Sequence, residues 1–266
     1  MKMKIGIRCV LLLLAVSLRA QTGISVSPPR IYFQGSPGES KTETVVITNA
    51  STKNRLDLSV GLGDWGYSFT GENMMYPADS LSTSCAGWVS IGKDDAYFSL
   101  NPGEKREIDI SINPPETASD SIPVRTAMLY VTQMNPVDDV DDKGGRIKVS
   151  VRSGIKLYYR NEGPKQKRLE IYDMKYVKEE KMIHLFFENT GNIWTDGIAY
   201  TDLVNTSNGQ KRTLDHLVFY TLPGNRRELL ISLPDMLENG KYVASVIVDY
   251  GDDNALEMAE LTFTYE

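Results

Sequence analysis

The feature that most constrains the fold is a period-two pattern of apolar residues across residues 146–160. Apolar side chains alternate at Ile147, Val149 and Val151 and, after Ser153, again at Ile155, Leu157 and Tyr159. Successive side chains of a β-strand point to opposite faces, so this spacing predicts one long strand with one face against a core. Lys156 is out of step with that face. We expect this strand to end a first domain and to form its working surface.

Shorter runs of the same kind recur along the chain, and turn residues such as the Asn-Pro-Gly-Glu of residues 101–104 separate them. Before the long run they cover residues 24–26, 31–33, 42–49, 56–62, 88–91, 96–100, 107–112 and 127–132. After it they cover residues 169–176, 182–188, 197–205, 213–220, 227–233, 242–249 and 258–265. Regular short strands with frequent turns predict β-sandwiches. We expect one sandwich in residues 21–160 and a smaller one in residues 168–266, joined by a polar linker, residues 161–167.

Residues 1–20 have the pattern of a secretory signal peptide, with basic residues, an apolar run and a small residue, Ala20, at the end. The apolar run is shorter than the ~20 residues that a membrane span needs. Its removal takes away four basic residues and leaves 25 Lys and Arg against 35 Asp and Glu, a net charge of about −10. This charge argues against nucleic-acid binding. We expect an exported, periplasmic protein without a membrane span, in which Cys85 is the only cysteine and no intramolecular disulfide forms.

No residue pattern for catalysis, a cofactor or a metal ion stands out. His184 and His216 are far apart and have no acidic or cysteine partner at metal-binding spacing, so we expect one on a strand, half-buried, and one exposed. Cys85 has no partner that would make it a nucleophile. The acidic loop at residues 135–145 contains Asp138, Asp139, Asp141 and Asp142 without the spacing of an EF-hand, which favours a solvated loop. Binding is therefore the better hypothesis than enzymatic activity.

Several short motifs, in this order and spacing, resemble the PapD-like periplasmic pilus-assembly chaperones. Residues 155–160, Ile-Lys-Leu-Tyr-Tyr-Arg, are similar to the last strand of the first domain in that family, and residues 29–33, Pro-Arg-Ile-Tyr-Phe, to its first strand. Residues 88–105 resemble the mid-domain hairpin, and residues 123–136 the penultimate strand with its trailing proline. Residues 248–251, Val-Asp-Tyr-Gly, match a signature of the second domain.

The resemblance implies two immunoglobulin-like domains in an L or boomerang arrangement and a non-catalytic function. A family member lends a strand to secreted pilin-type subunits that lack one, and delivers them to an outer-membrane usher. Here Ile147, Val149 and Val151 would be the side chains of the donor strand, which enters the apolar groove of the subunit. The exposed strand could also be capped by a second copy of the chain in a homodimer. The short loop at residues 135–145 resembles the branch of the family that serves rod-forming pilins.

The resemblance also implies an anchoring site. In the family two cations between the domains hold the C-terminal carboxylate of the subunit, and they correspond to Arg30 and Lys156. An interdomain ion pair would join Arg160 and Asp249. The family has a third, acidic member of that network where this chain has Arg125, which is a departure from the pattern.

Three other interpretations of these residues remain open. The odd-numbered apolar residues of 147–151 could be the core face of an ordinary strand, and Arg30 and Lys156 ordinary surface cations. The chain could be a PapD-like structural or adaptor component of another envelope assembly machine, with a permanent partner. Finally, Trp65, Tyr67 and Tyr76 lie in or beside a Gly-rich segment that could present aromatic rings to a carbohydrate.

Overall fold

The computed structural model describes residues 23–118, 121–140, 143–252 and 255–266. The predicted signal peptide lies outside these ranges. None of the helices within them is long and apolar enough to cross a membrane.

Twenty β-strands and two short 3-10 helices make up the described chain. The strands up to residue 160 are β1 (Ile24–Ser27), β2 (Arg30–Gln34), β3 (Lys41–Asn49), β4 (Leu56–Tyr67), β5 (Asn73–Pro77), β6 (Val89–Ile91), β7 (Tyr97–Leu100), β8 (Lys105–Ile112), β9 (Arg125–Gln133), β10 (Val137–Val140), β11 (Arg146–Val149) and β12 (Arg152–Arg160). The later strands are β13 (Leu169–Val177), β14 (Met182–Asn189), β15 (Thr195–Asn205), β16 (Lys211–Thr213), β17 (Leu217–Thr221), β18 (Arg226–Ser232), β19 (Gly240–Asp252) and β20 (Ala255–Tyr265). The 3-10 helices are Ala86–Trp88 and Lys93–Asp95.

The strands before residue 160 form a sandwich. One sheet has the order β1-β3-β8-β6, and the other has the order β2-β12-β9-β4-β5, with β7 also pairing with β4. This is the strand order of an immunoglobulin domain, except at the first edge position, which β1 occupies in one sheet and β2 in the other. The core between the sheets contains Val45, Leu58, Ile110, Leu129 and Leu157, all fully buried.

The strands after residue 168 form a second sandwich with a separate core. A sheet of order β13-β14-β18 packs against a sheet of order β16-β15-β19-β20, in which β17 also pairs with β15. The predicted all-β class with two immunoglobulin-like sandwiches is confirmed. Every run that was predicted as a strand overlaps an observed strand, whereas β5 and β10 were not predicted.

The predicted long strand at residues 146–160 is wrong in one respect, because it is interrupted at Ser150 and Val151. At this point Gln133 takes the place of a regular strand partner. Its backbone N–H donates to the Val151 carbonyl at 2.9 Å, and its carbonyl accepts from the Ser150 hydroxyl at 2.6 Å. Pro136 has no N–H and cannot extend β9. The acidic segment instead folds back as β10, which pairs with β11 from Val137↔Val149 to Val140↔Arg146. Asp141 and Asp142 lie outside the described residues.

The two faces of β12 have different surroundings. Its odd-numbered residues Ile155, Leu157 and Tyr159 are buried in the first core. Its even-numbered residues Lys156 and Tyr158 lie on the opposite face, where Tyr158 belongs to a small cluster that includes Leu222 of the second sandwich. The period-two pattern thus places one face of β12 in the core and the other between the sandwiches.

Leu157→Ala should test how strongly this strand stabilises the first sandwich. Leu157 is fully buried, and truncation of a buried leucine leaves a cavity, so we expect the free energy of unfolding to fall by about 2–5 kcal/mol. Urea denaturation followed by circular dichroism measures the change. Ser153→Ala, at a half-buried position on the same strand, is the control. Equal stability of the two variants would contradict the role of β12 in the core.

Candidate functional site

The two predicted anchoring cations are neighbours in the structure. Strand β2 pairs with β12 in parallel, and Lys156 stands opposite Arg30 in that register. Tyr158 and Tyr32 are the next pair on the same face, and their rings stack with centroids 4.9 Å apart. Both cations therefore point away from the first core and towards the second sandwich.

Lys156 sits in an aromatic surround. Its Nζ lies 4.0 Å from the ring centroid of Trp65 and 4.5 Å from that of Tyr67. The same atom donates hydrogen bonds to the Tyr67 hydroxyl at 3.1 Å and to Asn73 Oδ1 at 2.6 Å. Burial, together with the nearby charge of Arg30, lowers the pKa of Lys156 to about 8. The amine is thus a positive charge that has lost part of its water and has no negative charge beside it among the residues that the structure describes.

Neither cation has an acidic partner among the described residues, where no carboxylate lies within 4.0 Å of Arg30 or Lys156. The guanidinium of Arg30 lies 5.0 Å over the ring of Tyr220 from the second sandwich. Beside it Tyr32 stacks on Trp194 with centroids 4.8 Å apart. Two cations that lie between aromatic rings and have no acidic partner in the described residues form a site suited to a carboxylate, whose attraction to them grows as water is excluded.

An unpaired strand edge leads to these cations. Residues 152–155 of β12 pair with β9 on one side, whereas β2 pairs on the other side only from Lys156 onwards. In the described part of the chain, β1 lies beside this side of β12 without forming a ladder with it, and the Ser153 hydroxyl donates to the Ile24 carbonyl at 3.5 Å. The edge is therefore open up to the position where the cations stand.

The predicted donor side chains lie at the far end of this edge. Ile147 and Val149 are 40% and 37% exposed, and Val151 is half-buried. Val149 and Val151 border a cavity of ≈170 Å³ that Leu56 and Val137 also line. Exposure at this level excludes Ile147 and Val149 from an ordinary core face.

Arg160 and Asp249 are not brought together as the resemblance implied. Arg160 is buried and donates to the Gly163 carbonyl at 3.0 Å and to Gln34 Oε1 at 3.5 Å. The Asp249 carboxylate accepts from the backbone N–H of Gly251 at 3.0 Å, and no ion pair joins the two residues in the described chain. Arg125, at the position where the family has an acid, stacks over Trp88 at 4.8 Å.

Sequence reasoning did not identify Asn73 and Tyr220 as parts of the site. Asn73 begins the unpredicted strand β5, and Tyr220 comes from the second sandwich. Tyr67 was singled out, but for carbohydrate binding. The Gly-rich segment at residues 61–71 was the only sequence signal near them.

The remaining candidates have structural surroundings. Trp65 is fully buried, which excludes it from stacking on a carbohydrate. Burial raises the pKa of the Cys85 thiol far above its usual range, so the thiol stays protonated and unreactive. His184 is buried on β14 between the carboxylates of Glu228, at 2.7 Å, and Glu180, at 3.1 Å, and His216 is exposed. In the described ranges no group of three acidic, histidine or cysteine residues has metal-binding geometry.

Comparison with known proteins gives structural similarity alone. No family model matches the chain, and no curated protein matches it. Similar solved structures include the YadV chaperone, with 15% identity over 90% of this chain and 99% of that chain and a TM-score of 0.48. They also include the E. coli chaperone DraB, with 17% identity over 90% and 99% of the two chains and a TM-score of 0.46. A third is the CsuC–CsuE chaperone–tip subunit complex of Acinetobacter baumannii, with 10% identity, 90% and 97% coverage and a TM-score of 0.48. With identities and TM-scores this low, the functional argument depends on the geometry of this chain.

Proposed function

We propose that the protein is a periplasmic chaperone for secreted, pilin-type subunits whose β-sandwich lacks a strand. It would lend residues 146–151 to the groove of the subunit and hold the subunit's C-terminal carboxylate on Arg30 and Lys156. The observation that carries this proposal is the pair of cations without acidic partners at the point where the open edge of β12 ends. Its bound subunit would then pass to an outer-membrane assembly platform.

The strand geometry supports such a complex. A subunit strand that pairs with the open edge and ends with its carboxylate at Lys156 runs parallel to β12. It would stop where β2, also parallel to β12, begins at Arg30. The main-chain hydrogen bonds would give affinity, and the alternate side chains Ile147, Val149 and Val151 would fill the subunit's groove.

The anchored carboxylate would set the register of the added strand. A slip by one residue would turn every apolar side chain away from the groove, so an edge without a fixed end specifies its partner poorly. Lys156 lies seven positions after Val149 on the same chain, which couples the charge contact to the apolar contacts. No cofactor or nucleotide is needed, because completing the subunit's fold supplies free energy.

The proposal can be tested by affinity capture from envelope extract with the wild-type protein, Lys156→Ala and Val149→Asp. We expect the wild type to retain small secreted β-rich proteins and both variants to lose them while their circular dichroism stays that of the wild type. Retention of the same proteins by all three would contradict the proposal.

Release distinguishes a chaperone from a permanent adaptor. A captured subunit should leave the wild-type protein when a peptide with the sequence of a competing subunit's donor strand is added, because the peptide takes over the groove. A complex that persists in excess peptide would instead indicate a permanent adaptor function.

A further inference from the structure

The β4–β5 hairpin reaches across to the second sandwich. Its tip is a tight turn in which Ser68 Oγ accepts hydrogen bonds from the backbone N–H groups of Gly71, at 3.1 Å, and Glu72, at 3.0 Å. Gly71 has a φ of +99°, which a residue with a Cβ rarely adopts. The turn therefore presents the carbonyl of Phe69 in a fixed direction.

That carbonyl binds the edge of the second sandwich. It accepts from the backbone N–H of Glu228 at 2.9 Å and from Arg227 Nε at 3.2 Å. Strand β18 is an edge strand, so the hairpin satisfies an N–H that has no strand partner on that side. The Phe69 ring also lies 6.0 Å from the ring of Phe186 on the neighbouring strand β14.

Arg227 connects this contact to the candidate site. It is 3% exposed, and its Nη1 donates to the carbonyl of Tyr220, whose ring lies under Arg30. Its guanidinium is 5.6 Å from the ring of Tyr67, whose hydroxyl accepts from Lys156. One buried arginine thus contacts the hairpin, the aromatic residue beside Lys156 and the strand beside Arg30.

We infer that the hairpin tip and Arg227 form an interdomain lock, meaning a contact that fixes the position of one domain relative to the other. The lock would set the distance between the parts of the anchoring site that come from the two domains. Arg160 and Asp249, which the resemblance assigned to this task, do not pair among the described residues, whereas the hairpin contact is hydrogen-bonded and its arginine, Arg227, is buried. Arg227 acts as a positioning residue: it holds Tyr67 and Tyr220, and through them the two cations. Only the ligand-binding part of the inference rests on the proposed function.

The first test needs no ligand. Spin labels at Lys53→Cys and Asn208→Cys, exposed positions in the two domains, report the interdomain distance distribution by electron–electron double resonance in a Cys85→Ala background. Domains without a firm interface move relative to one another, so we expect Arg227→Ala to broaden the distribution by about twofold or more. The control is Arg226→Ala, which removes an exposed neighbour that pairs with Glu188 and does not contact the hairpin.

A second variant acts from the other side of the contact. A Cβ at Gly71 would lie 1.9 Å from Arg227 Nη2 and would strain the turn because of the positive φ, so Gly71→Ala should displace the guanidinium while the sequence of the second domain stays unchanged. We expect it to broaden the distribution as Arg227→Ala does. If Arg227→Ala does not fold, the distance distribution of Gly71→Ala alone tests the interdomain contact. Distributions as narrow as that of the wild type would overturn the inference.

The effect of Arg227 on the anchoring site can be measured separately. A peptide with the C-terminal sequence of a captured subunit should bind the wild-type protein more tightly as the free acid than as the amide, and Arg227→Ala should reduce that ratio by about tenfold or more. Arg226→Ala should keep the ratio. An unchanged ratio in Arg227→Ala would overturn the positioning role. If no peptide binds even the wild type, the proposed function fails while the distance measurement still decides the lock.

Discussion

Lys156→Met is expected to abolish anchoring of a subunit's C-terminal carboxylate while the protein stays folded. Methionine keeps most of the stem that packs on Trp65 and removes the charge. Loss of one partner of a desolvated charge pair costs about 2–5 kcal/mol of binding, an affinity loss of about thirtyfold to several thousandfold. Calorimetric titration with a C-terminal peptide of a captured subunit measures it.

The free protein should not become less stable in this variant. The Lys156 charge lies in an aromatic surround without an acidic partner, and burial lowers its pKa, which means that the folded state disfavours the charged form. Lys148→Met removes a charge from an exposed position on β11 and is the matched control. Full affinity in Lys156→Met, or equal loss in both variants, would contradict the anchoring role.

The same residue predicts opposite pH trends for stability and binding. The pKa of Lys156 is lowered from 10.5 to about 8 on folding. Between these values the unfolded chain holds a proton that the folded chain has released, so the free energy of unfolding rises with pH in this interval. Binding of a carboxylate should weaken over the same interval because its cation is lost. Both trends, measured by urea denaturation and calorimetry, should be absent from Lys156→Met.

Val149→Asp is expected to eliminate strand donation. Val149 is 37% exposed in the free protein, so the substitution should change the free energy of unfolding by no more than about 0.5 kcal/mol. In a complex the same position would face the apolar groove of the subunit. An unpaired carboxylate there would cost several kcal/mol, so we expect no complex on size-exclusion chromatography.

The matched control for this variant is Lys148→Asp. Lys148 immediately precedes Val149 on β11 and points to the opposite face of the strand. A lent strand would keep this side chain out of the groove, and the complex should survive. Loss of the complex in both variants would show that the added negative charge on β11, and not a lost contact with the groove, prevents binding.

Much of the architecture could be predicted because the apolar period is local information. The alternation through residues 155–159 identified the core face of β12 and placed Lys156 on the other face. The interruption at Ser150 could not be predicted, since it depends on hydrogen bonds between residues 150–151 and Gln133, which is distant in sequence. The apolar side chains at Val149 and Val151 stay in phase across this point, and nothing in the pattern marks the change of partner from β10, which pairs with β11, to β9, which pairs with β12.

The site was predicted in part. The resemblance put Arg30 and Lys156 together, and their register in the parallel pair β2–β12 agrees. It also paired Arg160 with Asp249, which the structure keeps on separate partners. The contact of Phe69 with Arg227 joins residues that are 158 positions apart, and no periodicity or short motif could connect them.

The most direct measurement is photo-crosslinking with benzoylphenylalanine placed singly at positions 147, 148, 149 and 150 in cells that make the protein's partners. Strand donation predicts crosslinks to a secreted β-rich protein from positions 147 and 149 and none from positions 148 and 150, with the crosslinks lost in Lys156→Ala. Crosslinks of equal yield from all four positions, or from none of them, would contradict the account.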